Sequence, residues 1–331
     1  MPREKSVNDP ARHDTSARRP PDSPNRLWAS ALGVLADLAF GEPPVQPHPV
    51  KVFGSVMRRL EAHLYSDGHG AGMAHALLGV SMGAAAGAVM GSATAATYVA
   101  VGGRALSAAA TDVAVALGDG NLERARASLP ALVGRDPGGL DEKEISRAAV
   151  ESVAENTVDA VVAPALWAAA AGAPGAMAYR AVNTLDAMVG RRCARYSRYG
   201  WASARLDDLA GWIPARVTAG LVAAVRPSAA AAIWSAVRQQ APAHPSPNAG
   251  VAEAAFAAAL GLRLGGENRY CEPGGSEATT RRVELRPPLG TGRPPEPHDI
   301  ARAVALSRDV CASLVVISAT SVRITTRNAR G

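Results

Sequence analysis

From Ala76 to Gly103 the chain carries no charged residue. The stretch reads LLGVSMGAAAGAVMGSATAATYVAVGG after its first alanine, long enough to cross the hydrocarbon of a bilayer as a helix. Gly79, Gly83, Gly87 and Gly91 recur every four residues, which lays a smooth glycine stripe along one helix face, the small-xxx-small pattern of close helix packing in membranes. Further apolar runs lie at Leu27–Phe40, Val150–Met177, Leu209–Val225 and Ile300–Thr320. Together they predict an all-α, polytopic helical integral membrane protein. Arginine-rich segments lie on both sides of several of these runs, so the positive-inside rule cannot place all of them on one face if every run crosses. At least one apolar segment is therefore expected to be re-entrant or interfacial.

Three regions follow. Residues 1–26 are polar, basic and proline-rich and are expected to be disordered. Residues 27–322 are expected to form the helical membrane domain that holds the functional site, and 323–331 a short C-terminal tail. Arg18-Arg19 is followed by Pro20-Pro21-Asp22 with no small-residue cleavage site, which argues against a cleaved signal. Four prolines between Gly41 and Gly54 forbid regular structure and make an ordered loop with His48 at its tip. Asp141 followed by Glu144 predicts a capped helix start. Tyr179–Asp208 reads as a polar, arginine-rich connection, and 265–297 as a Gly/Pro/Arg loop.

The net charge of +6 raises nucleic acid or an anionic membrane surface as partners. The arginines are scattered, with no basic run and no aromatic interleaving, which excludes a nucleic-acid footprint. Cys193, Cys271 and Cys311 have neither metal spacing nor the even count of a disulfide framework. His63, His69 and His75 are spaced by six, which is no zinc spacing. No phosphate-loop motif and no nucleophile-triad signature occurs.

Chemistry concentrates between Glu151 and Trp212, where charges adjoin very apolar sequence. Burying them is costly unless they are paired or used. Glu151, Glu155 and Asp159, at i, i+4 and i+8, fall on roughly one side of a regular helix, with Asn156 beside them. Like charges so placed repel and call for a divalent cation, an arginine or a cationic substrate. Arg180, Asn183 and Asp186 share an arc of a second helix, suited to clamp a phosphate or orient a carboxylate. Arg205, Asp207 and Asp208 precede Trp212, and the aspartate doublet offers hard oxygens to Mg²⁺. These residues alone leave an enzyme and a transporter equally open.

At these positions the chain resembles the CobD/CbiB family of cobalamin biosynthesis, the adenosylcobinamide-phosphate synthases. The likeness rests on GEPPVQPHPVKVFG (41–54), LPALVGRD (129–136), RAAVESVAENTVDAVVAPALWAAAAGAPGAMAYRAVNTLDAMVG (147–190), RYGWASARLDDLAGWIPAR (ending at Arg216), HPSPNAGVAEAAFAAALGLRLGGENRY (244–270) and RPPLGTGRPP (286–295). It covers nearly everything after the N-terminal tail. One departure follows Gly190, where Arg191-Arg192-Cys193-Ala194 replaces the expected His or Tyr followed by Arg, Ser or Asn.

The resemblance implies a multi-pass protein of the bacterial cell membrane. It implies an amide ligase joining adenosylcobyric acid to (R)-1-amino-2-propanol or its O-phosphate, with ATP and Mg²⁺, to give adenosylcobinamide or its phosphate. Expected partners are these substrates, the lipid bilayer and other membrane enzymes of the pathway. On that reaction, Glu151, Glu155 and Asp159 are expected to bind Mg²⁺ or the amine, and a carboxylate near the amine to accept its proton. Asp186, with Asn183, would orient substrate. Arg180 and Arg205 would contact phosphate, and Asp207 and Asp208 would hold Mg²⁺. Asn156 would join the substrate site, and His48 and Asn248 would line the corrinoid entrance. The rival reading is a corrinoid or small-cation transporter, or a non-catalytic scaffold for pathway enzymes.

Overall fold

A computed structural model describes residues 23–191, 193–272 and 280–328. The expected disordered tail lies outside the described residues up to position 22, and helix α1 already begins at Ser23 (Ser23–Phe40). There follow α2 (Pro49–Leu64), α3 (His69–Met90), α4 (Ala93–Ala100), α5 (Gly103–Gly118), α6 (Leu122–Ser128) and α7 (Glu142–Thr157). A π-helical turn, Val158–Val162, joins α7 to α8 (Ala163–Val189). Then come α9 (Trp201–Val225), α10 (Ala230–Gln239), α11 (Ala249–Leu260), strands β1 (Leu264–Glu272) and β2 (Thr280–Leu289), and α12 (Pro297–Asn328). Helix α12 runs through the expected tail boundary at 323.

Among the described residues four helical segments are long and apolar enough to cross a membrane: His69–Met90, Ala93–Gly118, Glu142–Val189 and Trp201–Val225. The helical, polytopic class read from the sequence is the class observed. The uncharged run, however, is not one rod. Gly91 takes a left-handed conformation (φ 64°) that ends α3, and Ser92 caps α4 by accepting the Ala95 N–H.

Helix α8 is the hub of the bundle, touching α1, α3, α4 and α9. The glycine stripe explains its closest neighbour. A Cβ on Gly79 would run into Leu185, one on Gly83 into Ala181 and Met177, and one on Gly87 into the backbone at Ala173 and Pro174. Close helix approach of this kind is what glycine spacing provides. Gly87→Val is expected to lower stability by ~1–3 kcal/mol, the cost of overpacking a tight contact, read as a drop in unfolding temperature in detergent. An unchanged melt would show that the two helices do not pack here. Inside α8, Gly172 is non-helical (φ 67°, ψ −153°) and Pro174 follows. The pair bends the helix where the ladder is already broken.

Charges near the apolar helices have local structural partners. Asp37, buried in α1, accepts the Arg104 N–H at the start of α5 (3.1 Å), a favourable place for a carboxylate. Asp141 and Glu144 form the predicted reciprocal cap of α7. The expected polar connection Tyr179–Asp208 shrinks to residues 190–200, because α8 continues to Val189 and α9 starts at Trp201. That connection is pinned to α2. Arg195 and the Tyr196 hydroxyl both donate to Glu61 (3.0 and 2.9 Å), and the Arg195 guanidinium sits 4.0 Å over the Tyr65 ring.

One expectation is corrected. Within the helical fold, the segment read as a Gly/Pro/Arg loop at 265–297 contains most of the antiparallel hairpin β1–β2. Gly265 and Gly266 have positive φ (86° and 107°) and sit at a break in register, and Pro287-Pro288 end β2. These residues hide strand periodicity in the sequence, yet a two-stranded hairpin has only edges and tolerates them.

Candidate functional site: a half-buried carboxylate cluster

The expected acidic face on α7 is divided by the π turn. A regular helix keeps Glu151, Glu155 and Asp159 near one line. The wider turn, which begins at Val158, resets Asp159 relative to the other two.

Glu151 faces the hairpin and is only 1% exposed. Its Oε2 accepts from Arg135 Nη2 (2.6 Å) and its Oε1 from the Gly265 N–H (2.9 Å). Arg135 also donates to Asn268 Oδ1 on β1 (2.6 Å). Arg147 donates to the carbonyls of Gly265 and Glu267. Both Glu151 oxygens are thus used in fastening β1 to α7. Asn156 donates to the Ser152 carbonyl and hydroxyl (3.0 and 3.1 Å), and so braces its own helix.

Asp159 turns the other way. Its Oδ1 faces the Tyr179 hydroxyl (3.5 Å), and its Oδ2 accepts from Asn183 Nδ2 (3.3 Å). The same Asn183 nitrogen reaches Asp207 Oδ1 on α9 (3.4 Å). One amide therefore bridges two carboxylates from two other segments. Glu155 and Asp186 lie within electrostatic range of Asp159 and Asp207, and Asp208 lies within range of Asp186 and Asp207. Neither Glu155 nor Asp186 makes a side-chain hydrogen bond among the described residues. Gly190 explains the room for Asp186, since a Cβ there would collide with its Oδ1.

Arg180 is the cation nearest this group, within electrostatic range of Asp159 and of Glu42 in the proline-rich loop. Its Nε is buried without a hydrogen-bond partner, and no ion pair engages its guanidinium among the described residues. A half-buried guanidinium with a spare donor favours an anion.

The aspartate doublet separates. Asp207 points into the cluster, whereas Asp208 pairs with the exposed Arg205 (3.3 Å). Asn248 is buried and engaged at both ends of its amide, donating to the Asp208 carbonyl (2.9 Å) and accepting from Arg216 (3.4 Å). It fastens the loop before α11 to α9, and a Cβ on Gly211 would strike it. His48 caps α2 by accepting the Val50 N–H through Nδ1, and its Nε2 is buried without a partner.

Glu155, Asp159, Arg180, Asn183, Asp186 and Asp207 thus gather from three helical segments. Glu151, Asn156 and Asn248 serve as fasteners, and Arg205 lies at the rim. No group of three or more His, Cys, Asp or Glu side chains among the described residues is arranged to hold a metal ion. The donors present are carboxylate oxygens, the type Mg²⁺ takes, and Mg²⁺ ordinarily uses one or two of them together with phosphate oxygens and water. The site fits Mg²⁺ delivered with a phosphate better than a resident ion.

Several residues were missed in the sequence. Tyr179 and Arg135 lay inside recognised blocks and carried no spacing signal. Glu253, in the alanine-rich α11, was detectable as a lone carboxylate in an apolar helix. It is fully buried and lies 3.4 Å from Arg286 on β2 and 3.8 Å from His244. Burial, with the Glu151 charge nearby, raises its carboxyl well above the usual range against the pull of Arg286, and burial lowers His244.

A bundle of long apolar helices around several carboxylates is the architecture of a helical membrane protein, in which ionisable groups at such positions mark a candidate functional site. The family profile described as CobD/Cbib protein matches residues 30–307. The cobalamin biosynthesis protein CobD of Mycobacterium tuberculosis is 46% identical over 300 residues, covering 87% of this chain and 93% of the relative. The protein of the same name from Geobacter metallireducens is 44% identical over 256 residues (72% and 80% covered), and one from Rhodobacter capsulatus 38% over 312 residues (88% and 95%). No solved structure matches. The chain belongs to the CobD/CbiB family.

Proposed function

We propose that this protein acts in cobalamin biosynthesis as an amide ligase, joining a corrinoid carboxyl group to (R)-1-amino-2-propanol or its O-phosphate. The observation that carries the reading is the juxtaposition at Asn183: one amide between the carboxylates of Asp159 and Asp207, with Arg180, whose buried Nε has no hydrogen-bond partner, within electrostatic range of Asp159. An amino alcohol phosphate has the complementary form, a cation at one end and an anion at the other.

In this reading Asp159 and Asp207, held by Asn183, receive the ammonium group, and one of them takes its proton as the nitrogen becomes nucleophilic. Asp186 and Glu155 orient the pair. Arg180 holds the phosphate of the acceptor, or the corrinoid carboxyl if the acceptor is not phosphorylated. ATP, with Mg²⁺, supplies the activation that a carboxylate lacks as an acyl donor.

The test is mass detection of the amide formed by purified protein in detergent from adenosylcobyric acid, Mg-ATP and each acceptor. Arg180→Ala is expected to raise KM for the phosphorylated acceptor about 30-fold, the loss of one charge-assisted contact of ~2 kcal/mol. It should change KM for aminopropanol little. Amide absent from folded wild-type reactions, with both acceptors, would overturn the reading.

A further inference from the structure

A cleft of small-molecule size lies apart from the residues of the carboxylate cluster. It lies at the base of the hairpin, between the start of α7, strands β1 and β2, and the proline-rich segment before α12, with a volume of about 650 Å³. That is the size of a small-molecule site. Its charges are distinctive: Lys143, Arg147, Arg263 and Arg286 line it, against Glu144 and Glu267. Both carboxylates are engaged, Glu144 in capping Asp141 (2.9 Å) and Glu267 with Arg269 (2.7 Å). Arg147 is held at the wall by the Gly265 and Glu267 carbonyls, and Arg286 by Glu253 and the Tyr270 hydroxyl. The side chains of Lys143 and Arg263 are exposed and make no hydrogen bond or ion pair among the described residues. Pro287, Pro288, Pro294 and Pro295 also line it, rigid, apolar and without N–H donors.

We propose that this cleft seats a nucleoside triphosphate, with Lys143, Arg147, Arg263 and Arg286 on its phosphates and the prolines against its base. Two fixed guanidiniums and two free cations make a graded anion site: the fixed pair positions, and the free pair closes on the ligand. Gly266 keeps the floor open, because a Cβ there would collide with Arg147 Nη1. The Arg286 charge lies within electrostatic range of Glu155 in the carboxylate cluster. The inference rests on the amide-ligase reading for its need of ATP, and its test is made without that reaction.

The experiment is equilibrium binding of ATP to the full-length protein in detergent, with no corrinoid and no amine present, and with inorganic triphosphate as competitor. Wild type is expected to bind ATP and to release it to triphosphate. The double variant Lys143→Glu/Arg263→Glu removes two charge-assisted contacts without touching a buried group, and is expected to bind ATP at least about 100-fold more weakly. The control Arg124→Glu, on the exposed side of α6, should bind as wild type does. Equal binding by wild type and the double variant, or no ATP binding by folded wild type, would overturn the cleft assignment. So would a double variant that loses association with anionic-lipid vesicles yet keeps ATP, since the cations would then serve lipid phosphate. In the first of these cases amide formation could still be intact, so the two readings fail separately.

Discussion

Asp207→Asn is expected to reduce amide formation by about 10²- to 10⁴-fold, the range for removing a positioned proton acceptor, while the protein unfolds at nearly the wild-type temperature. The substitution keeps the shape of the side chain and its contact with Asn183 (3.4 Å) but removes the charge that would receive an ammonium group. Asp208→Asn provides the comparison. Its carboxylate pairs with Arg205, whose side chain is 67% exposed, and a surface pair of this kind contributes about 0–1 kcal/mol. Activity of that variant should stay within a few-fold of wild type. Two neighbouring aspartates are thus expected to differ by orders of magnitude, because one points into the cluster and the other to the rim. Equal losses would show that the doublet works as a unit.

The second large effect is on the fold. Glu151→Ala leaves the Arg135 guanidinium buried with its main anionic partner gone, the two side chains being 1% and 6% exposed. Breaking a buried pair by removing one partner costs about 3–5 kcal/mol, a large part of the 5–15 kcal/mol that holds a typical domain. The expected result is a much lower unfolding temperature or loss of folded protein. The double variant Arg135→Met/Glu151→Leu should recover much of that stability, since no uncompensated charge remains. A Glu151→Ala protein that melts like wild type but lacks activity would instead place Glu151 in the chemistry.

How much of this was legible depends on the range of the interaction. The glycine stripe of α3 was readable because packing at every fourth residue is a local pattern, and Gly79, Gly83 and Gly87 do face α8. The cap at Asp141 was readable for the same reason. The polar blocks around Asp159, Asn183 and Asp207 could be singled out as charge within apolar sequence. Their sharing out could not. Helical periodicity puts Glu151 beside Asp159, and only the π turn at Val158–Val162 sends them to opposite tasks. Arg135, which claims Glu151, sits 16 residues away across a turn, a pairing that no spacing rule encodes. The hairpin was hidden by Gly265, Gly266 and its prolines, the residues that also shape the basic cleft.

The most direct test of the central claim is the structure of the protein bound to (R)-1-amino-2-propanol O-phosphate and adenosylcobyric acid, without ATP so that no turnover occurs. The account predicts the ammonium between Asp159 and Asp207, next to Asn183, the phosphate on the Arg180 guanidinium, and the corrinoid carboxyl facing the amine. An acceptor bound away from Asn183, with these side chains unchanged and unoccupied, would contradict it.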